Sequence, residues 1–194
     1  LIYMTKEIDF YFDFISPYSY LAHQKIKSIK NVKFNYKPVL VGGLHNLQGI
    51  TAPAFIKPKL KHMISDCNLI AKKNNFSFMW NSKFPINSLS IMRGYLLAKK
   101  DIKDLYLNIM FEAYWKDNLD ISNEEILIAL LKKYKINLDS FLEGIKNPEI
   151  KDELKNLTQE AHNKEIFGVP TCVVNDKIFW GQDRLEFALD EYNK

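Results

Sequence analysis

"DFYFDFISPYSYLA", residues 9 to 22, decides how this chain folds. With Ile8 in front of it, Phe10, Phe12 and Phe14 alternate with Asp9, Tyr11 and Asp13. That is the period-two pattern of a strand with one buried face. The alternation stops at Ser16-Pro17. A serine caps a helix through its side-chain oxygen, and a proline fits the first helical position, where a missing N–H costs nothing. Tyr20, Leu21, Ile26 and Ile29 then supply an apolar stripe at helical spacing. The stretch predicts a strand, a tight corner and a helix.

Working outward, "NVKFNYKPVL" (31–40) predicts a second strand ending at Pro38, followed by a Gly42-Gly43 loop. A β-α-β opening implies a right-handed crossover and a parallel pair. From about Pro53 to His162 the pattern is helical. In "SNEEILIALLKKY" (122–134), Ser122 and Glu125 read as a capping box, and Ile126, Leu127, Leu130, Leu131 and Tyr134 recur at helical spacing. Further helices are predicted near 58–73, 88–99, 102–116 and 149–164, the last with Ile150, Leu154, Leu157 and Ala161 on one face. "FGVPTCVVNDKIFWG" (167–181) predicts a hairpin turning at Asn175-Asp176-Lys177, and "DRLEFALDEY" (183–192) a closing helix. The order β-α-β, helical block, β-β-α is α/β in class: a thioredoxin-like fold with a large helical insertion. The α/β unit is assigned to 5–45 and 166–194, the inserted helical domain to 46–165.

Composition narrows the function classes. A chain of 194 residues can bury roughly 70% of its unfolded surface and needs no metal or disulfide for stability. The net charge of +4 comes from lysines scattered among acids, where nucleic-acid binders gather theirs into a stripe. No nucleic-acid partner is expected. No apolar run reaches eighteen residues, and "LIYMTKEID" shows no basic segment followed by a long apolar core, so neither membrane span nor leader is expected. Cys67 and Cys172 belong to no C-x-x-C or Cys/His ligand set, and His23, His45, His62 and His162 lack ligand spacing. The expectation is a cytoplasmic protein without a metal site.

The corner carries the chemistry. A side chain at a helix N-terminus meets unpaired N–H groups and the positive end of the helix dipole, so an anion is stabilised there. Thioredoxin-like oxidoreductases place two cysteines at this point; this chain has Ser16 and Ser19. Disulfide exchange is therefore excluded at this corner. What remains is a place for another molecule's thiolate, with the Ser16 hydroxyl as donor, and a free thiol's pKa of about 8.5 should fall there. Glutathione, the cytoplasmic tripeptide thiol, is the candidate. Taken alone, Ser16-Pro17 is better explained by capping. "FGVPT" supplies the context: Val169 before Pro170 stands where thioredoxin-like folds carry a cis-proline facing the corner, with backbone that pairs with a bound peptide. An ordinary loop proline is the other reading.

With both corners identified, the chain resembles the 2-hydroxychromene-2-carboxylate isomerases and kappa-class glutathione transferases, a thioredoxin-like branch close to DsbA. "DFYFDFISPYSYLA", "FPINSL" with Arg93, "EAYWKDNLDIS", "GVPT" and "FWGQDRLEF" follow that family's order nearly end to end. The resemblance implies that Ser16 is the catalytic serine that hydrogen-bonds the glutathione sulfur, with Pro17 and Tyr18 bordering it. It implies that Val169, before Pro170, pairs with the cysteinyl unit and that Gln182 and Asp183 grip the γ-glutamyl end; Asp183 is also placed to cap the last helix. Lys59 matches a lysine that reaches an anionic group, although a solvated helix lysine beside Lys57 and Lys61 reads the same way. Asn87 and Trp115 are implied to line an aromatic substrate pocket. Ile50 stands where relatives carry an asparagine, His62 where tyrosine is common, and Cys172 where an apolar residue is usual; Cys67 and Cys172 read as small buried hydrophobes.

The implied activity is a glutathione-dependent cis-trans isomerisation of 2-hydroxychromene-2-carboxylate or a related aromatic acid, in a homodimer. The alternatives are a transferase or peroxidase using the same thiolate, and a peptide-binding module without catalysis.

Overall fold

Among the described residues, the strands β1 (Ile8–Phe12), β2 (Phe34–Pro38), β3 (Thr171–Val174) and β4 (Lys177–Trp180) form one sheet in the order β2-β1-β3-β4, with the opening strand inside it. The computed structural model describes residues 6–194; residues 1–5, which open the stretch read for a leader and of which Thr5 begins the assigned α/β unit, lie outside the described residues. β1 runs parallel to β2 (Phe34–Pro38), with Ile8 opposite Phe34 and Phe12 opposite Pro38. It runs antiparallel to β3 (Thr171–Val174), with Tyr11 opposite Thr171. β4 (Lys177–Trp180) closes the hairpin at the edge. Asn175 and Asp176 alone make its turn, both at positive φ (50° and 59°), which is the conformation a tight two-residue connection needs. Lys177, expected in the turn, begins β4.

The helices described are α1 (Pro17–Ile26), α2 (Val41–Gln48), α3 (Lys57–Asn74), α4 (Leu89–Leu97), α5 (Lys103–Trp115), α6 (Glu124–Lys133), α7 (Leu138–Gly144), α8 (Pro148–Asn163) and α9 (Leu185–Tyr192). Two of them, α2 and α7, are not expected from sequence pattern. Gly42-Gly43 reads locally as a loop, yet both glycines lie within α2. That helix is started from a distance: Thr158 Oγ1 accepts from the Leu40 N–H at 3.0 Å and Asp13 Oδ2 from the Val41 N–H at 3.0 Å. A Cβ on Gly43 would come within 3.1 Å of Thr158 Cγ2, so the small residue lets α2 lie close to α8. The expected boundary between residues 45 and 46 cuts α2.

Other termini also move. Asn123, not Ser122, caps α6, accepting from the Glu125 and Ile126 N–H groups, while the Ser122 hydroxyl turns back to Asp120. The closing helix starts later than expected, because Gln182–Arg184 form a single 3-10 turn in which no side chain caps the first amides. Asp183 therefore caps nothing and instead accepts from Arg184 at 3.3 Å.

Burial departs from a simple wet-and-dry alternation. Ile8, Phe10 and Phe12 enter the main apolar cluster, and the opposite side chain Tyr11 is also buried, in a second cluster with Val39, Leu44, Ala161, Ile166 and Val169. A central strand covered on both faces has no solvent side. Phe12 and Phe14 meet the α5 ring Phe111 with centroids 5.9 and 4.8 Å apart, so the helical segment shares its core with the sheet.

Candidate active site

Ser16 is where the strand's exit meets the helix's entry. It holds extended backbone (φ −84°, ψ 114°) at the N-cap of α1, and its Oγ accepts from the Ser19 N–H at 3.1 Å. Its proton is directed at the Val169 carbonyl, 3.4 Å away. That distance is at the long limit for a hydroxyl donor, so the proton is available to a better acceptor. Pro17 follows at the first helical position and is buried.

The opposing wall is Val169-Pro170, joined by a cis peptide bond as expected. The β3 ladder begins only at Thr171, leaving the Val169 backbone outside it and beside Ser16. The Pro170 carbonyl accepts from the Gly181 N–H at 2.9 Å, which fixes the Gln182-Asp183 turn against the same wall. Gly181 sits at φ 108°, and a Cβ there would lie 2.5 Å from Asp183 Oδ1; only glycine admits this turn. The fold thus brings Ser16, Pro17, Val169, Pro170, Gln182 and Asp183 into one neighbourhood. Gln182 is half-buried, and Asp183 is exposed.

The remaining expected residues stand differently. Tyr18 donates its hydroxyl to Asp66 Oδ2 on α3 at 2.8 Å, and burial with that carboxylate beside it pushes the phenol well above its ordinary range. Its ring bridges α1 to α3. Lys59 is exposed on the first turns of α3, and no ion pair holds it among the described residues. Asn87 uses its side-chain oxygen on the Leu89 N–H at 2.9 Å, at the start of α4. Trp115 corrects the sequence expectation: it is 0% exposed, stacked against Phe78, with Nε1 donating to the Phe14 carbonyl at 2.8 Å. It supports the corner from inside and lines no open pocket.

Asp13 is the site residue that sequence reading missed. The alternation reads it as a solvent-facing acid, yet it is 1% exposed directly behind Ser16. Oδ1 accepts from the Ile15 N–H at 3.1 Å, Oδ2 from the Val41 N–H, and its carbonyl from the Ser16 N–H at 3.0 Å. Burial pushes its carboxyl from 3.8 up to about 6, against the opposing pull of hydrogen bonds from Val41, Ile15 and Ser88. One buried side chain thereby joins the corner, α2 and the approach to α4. The available signal was its place three residues before the corner serine.

Neither thiol is a nucleophile here. Burial pushes both Cys67 and Cys172 to about 12, and both are free. His23 is a core residue, held between the Tyr36 hydroxyl (2.6 Å) and Asn108 Oδ1 (2.7 Å), and burial lowers it to about 4. Among the described residues, no helix is long and apolar enough to cross a membrane.

The sheet, the N-terminal corner of α1 and the facing cis-proline define a thioredoxin-like protein with serine in place of the attacking cysteine. The chain belongs to the DSBA-like thioredoxin domain family, which it matches over residues 7–193. It is similar to the 2-hydroxychromene-2-carboxylate isomerase of Sphingobium xenophagum, with 28% identity covering 97% of this chain and 98% of that protein. It is also similar to glutathione S-transferase kappa 1 of Homo sapiens, with 24% identity covering 94% and 89%. Among solved structures, a 2-hydroxychromene-2-carboxylate isomerase superposes with a TM-score of 0.86 at 23% identity, over 94% of this chain and 92% of that one. The cytosolic disulfide reductase DsbM from Pseudomonas aeruginosa with GSH superposes with a TM-score of 0.63 at 14% identity, over 95% and 99%.

Proposed function

We propose that this protein binds glutathione at the Ser16 corner and catalyses a glutathione-dependent cis-trans isomerisation of 2-hydroxychromene-2-carboxylate or a related aromatic acid. The observation that carries the reading is Ser16, a residue 8% exposed at the head of α1, whose hydroxyl proton is only loosely engaged by Val169. The surroundings fit the tripeptide: a backbone segment outside the ladder at Val169, an exposed carboxylate at Asp183 and a half-buried amide at Gln182.

Glutathione held there would supply a nucleophilic sulfur, whose reversible addition and later expulsion would let a substrate double bond rotate as a single bond in between. Ser16 turns its hydroxyl from the Val169 carbonyl to the sulfur and, with the α1 dipole, favours the ionised thiol. Val169 pairs its backbone with the cysteinyl unit, Pro170 holds that strand in place and Pro17 borders the sulfur. Gln182 and Asp183 take the γ-glutamyl end, and Lys59 takes an anionic group from the rim. Tyr18 ties α1 to α3 beside the corner through Asp66.

The similarity to kappa-class transferases favours one second reading, transfer of the same thiolate to an electrophile. Calorimetry with glutathione, followed by parallel assays on a hydroxychromene carboxylate and a chlorinated nitroaromatic, tests both. Heat of binding with turnover of the chromene supports the isomerase, and turnover of the nitroaromatic alone supports the transferase. Absence of binding or thermal shift at millimolar glutathione removes both. The reading places the enzyme in a reducing cytoplasm, as a homodimer.

A further inference from the structure

Lys25 belongs to none of the motifs that point to the site, yet it reaches it. It lies half-buried on the third turn of α1, and its Nζ donates to Gln182 Oε1 at 2.6 Å. This contact settles which way the Gln182 amide faces, because an NH₂ group turned toward an ammonium would set donor against donor. The Gln182 Nε2 hydrogens are therefore directed away from Lys25, and the lysine itself keeps two of its three hydrogens. A cation and an amide donor stand side by side, and the next residue, Asp183, offers a carboxylate whose partner is Arg184 at 3.3 Å.

The charge on Lys25 is incompletely answered. Burial pulls its ammonium below the ordinary lysine range, Lys73 pushes the same way, and the acids Glu186 and Asp183 restore only part of the loss. A bound anion would complete the set. The arrangement matches a group with carboxylate and ammonium on one carbon: the carboxylate on Lys25 and Gln182 Nε2, the ammonium on Asp183.

We propose that Lys25 is a specificity-determining residue that reads the α-carboxylate of an amino-acid head group and so selects γ-glutamyl thiols over thiols lacking that zwitterion. The proposal rests on the glutathione reading above. It adds a residue to the site and a reason for the Gln182-Asp183 order, amide then acid.

The test is calorimetry on the wild type, Lys25→Met and Lys25→Arg with two ligands: glutathione, and γ-aminobutyryl-cysteinylglycine, which lacks only the α-carboxylate. The wild type should prefer glutathione by roughly ten- to a hundred-fold, the range of one or two charge-assisted hydrogen bonds. Lys25→Met should lose about that factor toward glutathione and little toward the analogue, so the preference collapses, while Lys25→Arg retains most of it. In turnover the loss should fall on KM for glutathione rather than on kcat. A Lys25→Met protein that keeps the preference overturns the proposal, as does one weakened equally toward both ligands, which marks a lysine with a structural role only. A wild type that binds neither thiol overturns the glutathione reading and this proposal together.

Discussion

The front and the back of the β1–α1 corner are built on opposite terms. Behind it, Asp13 and Trp115 are buried and their polar atoms are matched: two backbone amides on the Asp13 carboxylate, the Phe14 carbonyl on the Trp115 indole. In front, the Ser16 hydroxyl reaches a carbonyl at 3.4 Å, the Val169 backbone stands outside the sheet, and Asp183 is exposed. A saturated back makes the corner rigid, and an undersatisfied front leaves hydrogen-bonding capacity for a ligand. Pre-organised donors of this kind stabilise charge without reorganising at the moment of reaction. Under the proposed function, a borrowed sulfur needs as stiff a corner as a built-in cysteine does.

The largest effect should come from the front. Ser16→Ala should keep the fold and lose about 2–4 kcal/mol of barrier lowering, roughly thirty- to a thousand-fold in turnover. Circular dichroism and initial rates check this, and full activity in the variant would make the front ornamental.

The back should answer in stability. Asp13 titrates at 3.8 when unfolded and at about 6 in place, so its ionisation is disfavoured by folding. Its contribution is fully present below pH 3.8 and is lost as pH rises through 6, about 3 kcal/mol over that window from a shift of about two units. Urea unfolding of the wild type and Asp13→Asn between pH 4 and 7 should show the wild type losing ground relative to the variant as pH rises. Two parallel curves would mean that Asp13 is not sealed in. Trp115→Phe should cost about 1–3 kcal/mol, since it shrinks a packed side chain and leaves the buried Phe14 carbonyl unpaired. Its activity should fall less than that of Ser16→Ala.

The smallest effect concerns reagents. With Cys67 and Cys172 both buried and pushed to about 12, a thiol reagent should label neither in the native protein and both in denaturant. Rapid native labelling would show that the interior opens.

How far the sequence carried depends on where each signal resides. β1, α1, the 171–180 hairpin and the cis peptide before Pro170 were legible, because alternation, a Ser-Pro cap, turn residues and a Val-Pro-Thr run are local. α2 was not, since two glycines argue against a helix and the groups that start it, Asp13 and Thr158, come from elsewhere in the chain. The same distance hid Asp13: a strand covered on both faces buries the acid that alternation assigns to solvent. Trp115 was named for a motif, and a motif does not say which way an indole points. At Ser122-Asn123 two capping residues adjoin, and the hydrogen bond to Asp120 decides between them. At the front, signature residues pointed to Ser16, Val169, Gln182 and Asp183, which the fold brings together, while nothing local pointed to Lys25, whose contact with Gln182 forms only when the turn folds against α1.

The most direct test is an ultraviolet difference titration of glutathione bound to the wild type and to Ser16→Ala. The sulfur should ionise at least one pH unit below the free thiol's value of about 8.5 in the wild type and return toward that value in the variant. A bound thiol that titrates at its free value, or identically in both proteins, would contradict the claim that this corner exists to hold a sulfur anion.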